Sequence, residues 1–209
     1  LRRQRQMCIR DRNKVNEKIG SDYKLFNYYG AEDADEVIIA MGSVCDTISE
    51  TVDYLNANGR KVGLVKVRLY RPFSVKHLVA AIPSTVKKIS VLDRTKEPGS
   101  IGEPLYLDVV AALRDTEFAN VPVYTGRYGL GSKDTTPAQI IAVFKNTEKK
   151  RFTIGINDDV TNLSLALDEN PDTTPAGITS CKFWGLGADG TVGANKNSVK
   201  IIGDHTDMN

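Results

Sequence analysis

Short apolar runs alternate with longer segments of helical periodicity between residues 36 and 147. The first run, residues 37–43, reads VIIAMGS, and in residues 46–58 apolar positions recur at spacings of three and four before Asn58-Gly59. A short continuous apolar run is typical of a strand buried on both faces, and the second spacing is typical of an amphipathic helix. The pattern therefore predicts a strand that leads into a helix.

The same alternation continues along the chain. It predicts strands over 61–69, 88–93, 121–126 and 151–156, and helices over 74–81, 103–113 and 136–145. Strands that alternate with helices at these distances form βαβ units with right-handed crossovers. The predicted fold class is α/β with a parallel sheet, and the predicted domain covers residues 33–165.

A second unit is predicted beyond a polar, proline-punctuated linker over residues 166–177. Residues 178–184 are strand-like, a glycine-rich segment follows, and a helix is predicted from near Ala194. The segment contains Gly185-x-Gly187-x-x-Gly190, the letters of a dinucleotide fingerprint.

The chemistry of this glycine segment has two interpretations. Glycine N–H groups and a helix N-terminus can receive phosphate oxygens, with Lys196 adding a positive charge. The alternative is a tight turn between a strand and a helix. A P-loop is excluded because Lys196 follows Asn195 and no Gly-Lys-Ser/Thr ending is present.

Two further loops follow predicted strands, at residues 94–99 and 126–134. Open α/β sheets place ligands at the carboxyl ends of their strands, so either loop could hold an anion. A solvated turn or a domain contact is the alternative for both. No catalytic residue and no metal ligand is assigned, since His77 and His205 have no identified partner.

Composition and charge narrow the class of protein. The formal net charge is +2, so the sequence shows no broad basic surface for nucleic-acid binding. No apolar run approaches the roughly 20 residues that span a bilayer. The three cysteines at positions 8, 45 and 181 form no C-x-x-C pair, which argues against a disulfide scaffold, a zinc site or an iron–sulfur run. The expected location is the cytoplasm.

Residues 1–12 carry five arginines and no apolar h-region of a signal peptide. Residues 7–12 back-translate to ATG TGT ATA AGA GAC AGN, which resembles a transposase end sequence of sequencing-library adapters. We interpret residues 1–12 as a non-native, adapter-derived segment rather than a basic arm.

Five strings together carry a resemblance to a known family. They are KLFNYYG (24–30), AMGS (40–43), LYRPF (69–73), LDRTKEPG (92–99) and GRYGLGSKD (126–134). In this order they closely resemble pyruvate:ferredoxin (flavodoxin) oxidoreductase, and the resemblance extends from about residue 13 to the end.

The resemblance implies an enzyme that decarboxylates pyruvate oxidatively to acetyl-CoA. That family uses thiamine diphosphate with Mg²⁺ and passes electrons through [4Fe–4S] clusters to ferredoxin or flavodoxin. It also implies a homodimer, contacts with the remaining domains of the same polypeptide, and neither nucleic-acid nor membrane binding. No magnesium–diphosphate motif and no cluster-binding cysteine run stands in this chain, so the isolated chain is expected to be inactive.

The resemblance further implies an internal fragment. Residues 13–32 resemble the end of a pyrimidine-binding-like first domain and a linker. Residues 33–165 resemble a transketolase C-terminal-like second domain, and residues 178–209 the start of a gamma-type catalytic third domain. The third domain helps to bind coenzyme A, so the implied cofactor-binding residues are Gly185, Gly187, Asp189, Gly190, Thr191, Gly193, Asn195 and Lys196.

Two other functions compete with this assignment. The chain could be a non-catalytic α/β module for interaction or subunit contact. It could also be a dinucleotide-binding dehydrogenase domain, which requires the glycine fingerprint to head a complete βαβ unit.

Overall fold

The computed structural model describes residues 2–158, 160–174 and 177–206. The chain divides after Thr173 into two units. The helices of the first unit are α1 (Arg2–Ile19), α2 (Val44–Ala57), α3 (Val75–Val79), α4 (Pro104–Leu113) and α5 (Pro137–Lys145). Its strands are β1 (Phe26–Gly30), β2 (Glu36–Ala40), β3 (Val62–Val67), β4 (Lys88–Asp93), β5 (Val123–Arg127) and β6 (Arg151–Thr153).

The six strands form one sheet in the order β1-β3-β2-β4-β5-β6. All neighbours pair in parallel except β1, which pairs antiparallel with β3. The predicted α/β class is therefore confirmed, with one antiparallel edge strand added to the parallel sheet. Although β1 lies in the range 13–32, which the sequence assigns to the end of another domain, its backbone hydrogen-bonds to this sheet.

Helices cover both faces of the sheet because successive side chains of a strand point to opposite faces. Ile38 of β2 and Leu92 of β4 belong to the core under α2 and α5, and Ile39 and Val91 belong to the core under α3 and α4. Each of these side chains is fully buried. This burial explains why the interiors of the two central strands are apolar, with the buried Ser90 of β4 as the exception.

The predicted elements of this unit match the structure within a few residues. The strand over 88–93 is reproduced at both ends, and α2 begins two residues before the predicted start. Between α5 and the end of the unit, β6 is shorter than predicted and the chain then makes an isolated bridge between Thr153 and Ser164. Residues 2–12, interpreted as adapter-derived, lie in α1, and their origin stays a prediction.

The second unit contains one helix among its described residues, α6 (Thr191–His205). The strand predicted over 178–184 is wrong, because these residues have no regular secondary structure. Trp184 is 83 % exposed and Leu186 is 92 % exposed, so the apolar run does not lie in a sheet interior. The predicted linker, residues 166–177, contains Pro175 and Ala176, which lie outside the described residues.

The packing of β5 against β6 gives a test of the core. A Cβ added at Gly126 would lie 2.3 Å from the Phe152 ring and 2.6 Å from Leu92 Cδ2. We expect Gly126→Ala to lower the free energy of unfolding by about 1–3 kcal/mol, the usual cost of overpacking a core. Thermal unfolding followed by circular dichroism measures this loss.

Gly203→Ala is the matched control, since a Cβ at that position of α6 would meet nothing within 4 Å. It should leave the Tm of the first unit unchanged. An unchanged Tm for Gly126→Ala would contradict the packing described between β5, β4 and β6.

Candidate functional site

The glycine segment of the second unit forms a loop closed by one carboxylate. Asp189 accepts hydrogen bonds from the Leu186 N–H (2.7 Å), the Thr191 N–H (2.9 Å) and the Thr191 hydroxyl (2.5 Å). These bonds, led by that of the Thr191 hydroxyl, lower the pKa of Asp189 to about 2. The ionised carboxylate thus fixes the loop onto the first turn of α6.

The fingerprint glycines are required by the loop itself. Gly187 has φ 65° and Gly190 has φ 86°, a left-handed region that side chains with a Cβ rarely adopt. Gly185 is needed for space, because a Cβ there would lie 2.2 Å from Thr191 Oγ1. Internal geometry therefore accounts for all three glycines, as the tight-turn interpretation expects.

The other predicted binding residues lie on α6. Gly193, Asn195 and Lys196 are exposed, and a Cβ at Gly193 would meet nothing within 4 Å. The first N–H groups of a helix lack intrahelical acceptors and could bind a phosphate. At the start of α6, however, the Thr191 N–H already donates to Asp189. Its negative charge also offsets the positive end of the helix dipole. Binding of a phosphate here would depend on Lys196 and the remaining amides.

A separate cavity of about 340 Å³ lies in the first unit, at the carboxyl ends of β2, β4 and β5. At this point the strand order reverses, because β2 connects to β3 on one side and β4 connects to β5 on the other. Open α/β sheets bind ligands in the crevice at such a reversal. The lining residues are Ser43, Val44, Thr47, Arg94, Tyr128, Gly129, Ser132, Lys133, Asp134 and Thr135.

Buried acidic residues hold the loop ends around this cavity. Asp93, the last residue of β4, accepts hydrogen bonds from the Leu105 N–H (3.0 Å) and the Tyr106 N–H (3.1 Å), so it caps α4. Burial raises the pKa of Asp93, and these backbone bonds oppose the rise. The carboxylate of Glu103, which directly precedes α4, instead pairs with Arg127 Nε at 2.5 Å. These contacts fix the strand ends from which the loops emerge.

The two loops singled out in the sequence meet in the fold. A Cβ at Gly129 would lie 2.9 Å from Arg94 Nε, so the loop after β5 packs directly on the loop after β4. Sequence reasoning missed Ser43 and Thr47, which line the same cavity from the start of α2. The signal for them was the Gly42-Ser43 pair, which follows an apolar strand at the same edge of the sheet.

No group of three or more His, Cys, Asp or Glu side chains that could hold a metal ion comes together among the described residues. Cys45 is buried and Cys181 is exposed, and both are free thiols. Burial raises the pKa of the Cys45 thiol. Of the described helices, none has both the length and the apolar character needed to cross a bilayer.

The parallel sheet and its crevice define a domain of the open α/β class. A family model described as pyruvate:ferredoxin oxidoreductase core domain II matches residues 34–140, which is slightly more than half of the chain. The chain therefore belongs to the pyruvate:ferredoxin oxidoreductase family. This confirms the resemblance carried by the five strings and disfavours a dinucleotide-binding dehydrogenase or a stand-alone interaction module.

Two curated relatives show the extent of the similarity. The chain is 60% identical to the pyruvate-flavodoxin oxidoreductase of Enterobacter agglomerans over 93% of this chain and 17% of that protein. It is 59% identical to the pyruvate:ferredoxin oxidoreductase of Moorella thermoacetica over 90% of this chain and 16% of that protein. The chain thus spans about a sixth of the length of these relatives.

A solved structure is also similar to this chain. It is a 2-oxoglutarate:ferredoxin oxidoreductase from Magnetococcus marinus with 2-oxoglutarate, coenzyme A and succinyl-CoA bound, and it is 24% identical with a TM-score of 0.44. The similarity covers 68% of this chain and 23% of that chain.

The loop closed by Asp189 should depend on pH. Because its pKa in the folded protein is depressed to about 2, the stabilisation it gives is complete above its unfolded pKa of about 3.9 and is lost as the pH falls through 2. A carboxyl-carbon NMR titration should give a midpoint near 2 for Asp189.

The Asp189→Asn variant is the control. It removes the charge, so the start of α6 should no longer lose order between pH 4 and 2. The amide signals of Leu186 and Thr191 measure this order. A titration midpoint near 4 in the unsubstituted chain would contradict the hydrogen bonds described for this carboxylate.

Proposed function

We propose that this chain is part of an enzyme that decarboxylates pyruvate oxidatively to acetyl-CoA and passes the electrons to ferredoxin or flavodoxin. The observation that carries the proposal is the match of residues 34–140 to core domain II of this family. The names and the identity of about 60% of the two relatives support pyruvate as the substrate. An interaction module without catalytic context has no comparable support.

The described residues do not fit the redox cofactors of such an enzyme. A [4Fe–4S] cluster requires several converging thiolates, and the described part of the chain brings together no metal-ligating group. The clusters are therefore assigned to other parts of the polypeptide. Thiamine diphosphate and Mg²⁺ are assigned there as well, because this chain carries no magnesium–diphosphate motif. No catalytic residue is assigned to this chain, and by itself it is inactive.

The role proposed for residues 33–165 is that of a rigid second domain, transketolase C-terminal-like, which packs against the remaining domains. Its buried pairs, such as Glu103 with Arg127, support a rigid role. Residues 166–177 are proposed as a linker, and the division of the chain after Thr173 supports this. Residues 13–32 and 178–209 are proposed as the end of the first domain and the start of the third, with residues 1–12 non-native.

Coenzyme A is the proposed ligand of the loop and helix start over residues 185–196. The support is chemical: a Cβ at Gly187, Gly190 or Gly193 would meet nothing within 4 Å, so the backbone there is open to an approaching phosphate. Lys196 offers a cation on an exposed turn of α6. Asp189 shapes the loop instead of contacting a phosphate, since its oxygens already accept three hydrogen bonds.

The proposed assembly is a homodimer in the cytoplasm. The free thiols of Cys45 and Cys181 are compatible with a reducing compartment. Ferredoxin or flavodoxin is the proposed electron acceptor, on the basis of the relatives' names.

The reaction is tested by expressing the complete gene and this 209-residue chain separately. The complete enzyme should reduce a viologen dye only when pyruvate and coenzyme A are both present. This chain should show no turnover, because the cofactors are proposed to bind in other parts of the polypeptide. Activity on 2-oxoglutarate but not on pyruvate would contradict the proposed substrate.

The loop is tested in the complete enzyme with Lys196→Ala. Loss of one charge-assisted contact should raise KM for coenzyme A by about tenfold and leave KM for pyruvate unchanged. Lys200→Ala, another exposed lysine of α6, is the matched control. An unchanged KM for coenzyme A would refute the loop assignment without affecting the proposed reaction.

A further inference from the structure

The cavity at the carboxyl ends of β2, β4 and β5 contains two cations that no carboxylate neutralises. Arg94 follows β4 and Lys133 follows β5, and both side chains line the cavity. Among the described residues neither side chain forms an ion pair or a hydrogen bond. Since they come from different loops, the fold brings their charges to one place.

Neutral donors surround the same space. The hydroxyls of Ser43, Thr47 and Ser132 have no hydrogen-bond partner within the described part of the chain. At the start of α2 the Cys45 N–H donates to Gly42 O and the Asp46 N–H donates to Ser43 O. The N–H groups of Ser43 and Val44 remain without a backbone acceptor in the described ranges.

The balance of charge favours an anion. Asp134 is the one carboxylate among the residues that line the cavity. Asp93 lies at the end of β4, but its two oxygens are committed to the first turn of α4. The lining therefore offers two cations, several hydroxyls and two amides against one carboxylate.

The two loops that carry Arg94 and Lys133 are held in place by the fold before any ligand arrives. Arg94 packs against Gly129, and the Tyr128 N–H donates to Asp93 O at 3.1 Å, which ties the two loops together. Gly129 and Gly131 both have left-handed backbone conformations, with φ of 61° and 63°. Left-handed residues in a turn direct successive N–H groups to one side, as in known anion-binding nests. Such preorganisation lowers the entropic cost of binding.

We propose that this cavity binds the phosphate group of a small phosphorylated compound. Its volume of about 340 Å³ is at the lower end of ligand pockets, which typically measure about 300–1,000 Å³, and it suits a diphosphate better than a large cofactor. Arg94 and Lys133 bind the phosphate oxygens, and the Ser43 and Val44 amides with the three hydroxyls complete the contacts. This inference is independent of the proposed reaction, because it concerns binding to this chain.

Titration of the ¹⁵N-labelled chain with inorganic pyrophosphate tests the proposal. The amide signals of Ser43, Val44 and Gly129 should shift together and saturate. Parallel titrations with ADP and with adenosine distinguish the phosphate from the nucleoside: ADP should bind at the same amides and adenosine should not. The double variant Arg94→Gln/Lys133→Gln should raise Kd for pyrophosphate by at least about tenfold, since charge-assisted hydrogen bonds are lost.

The matched control is Lys87→Gln/Arg114→Gln, which removes the same charge from two exposed positions outside the cavity lining. It should leave Kd within about twofold, and circular dichroism should show both variants folded. Equal weakening by the two double variants would mean unspecific attraction and would overturn the proposal. Absence of saturable shifts at the cavity amides would overturn it as well.

Discussion

The burial of β2 and β4 on both faces is the constraint on which the rest of the first unit depends. Two parallel neighbours cannot be joined by a short turn, so the chain must cross over the sheet, and each crossover must cover one face. The helix after β2 covers one face and the helix after β4 covers the other. The loops that enter α2 and α4 consequently diverge at one edge, and the cavity lies at this point, lined mainly by the start of α2 and the loop after β5.

Sequence periodicity predicted the buried strands and the exposed helix α6, but it did not predict β1, and the strand that it predicted over 178–184 is wrong. Within residues 88–93, Ile89, Val91 and Leu92 are apolar because the helices cover both faces of this strand. The edge strand β1 reads as FNYYG, a mixture of aromatic and polar residues, and its pairing depends on β3, which follows much later in the chain. Residues 178–184 have an apolar run without a sheet to bury it, which a local pattern cannot distinguish from a strand.

The candidate sites, too, could be predicted from the sequence only in part. The glycine positions of the loop before α6 could be read from the sequence, but the use of the Asp189 carboxylate as an internal acceptor depends on three-dimensional closure. The cavity could be predicted in part: Arg94 and Lys133 stand in loops that follow predicted strands. Ser43 and Thr47 become their neighbours only through the strand order. Contacts between distant segments are set by topology, which single loops do not encode.

The burial of Cys45 on α2 has a practical consequence for studying motion in the domain. A piece of the chain restricted to residues 13–173 would keep Cys45 as its single thiol, because the other cysteines stand at positions 8 and 181. Cys45 is only 6 % exposed, so its modification by a thiol reagent should require local opening at α2. The rate of modification would then report the free energy of opening of one helix, the same helix whose first turn borders the cavity.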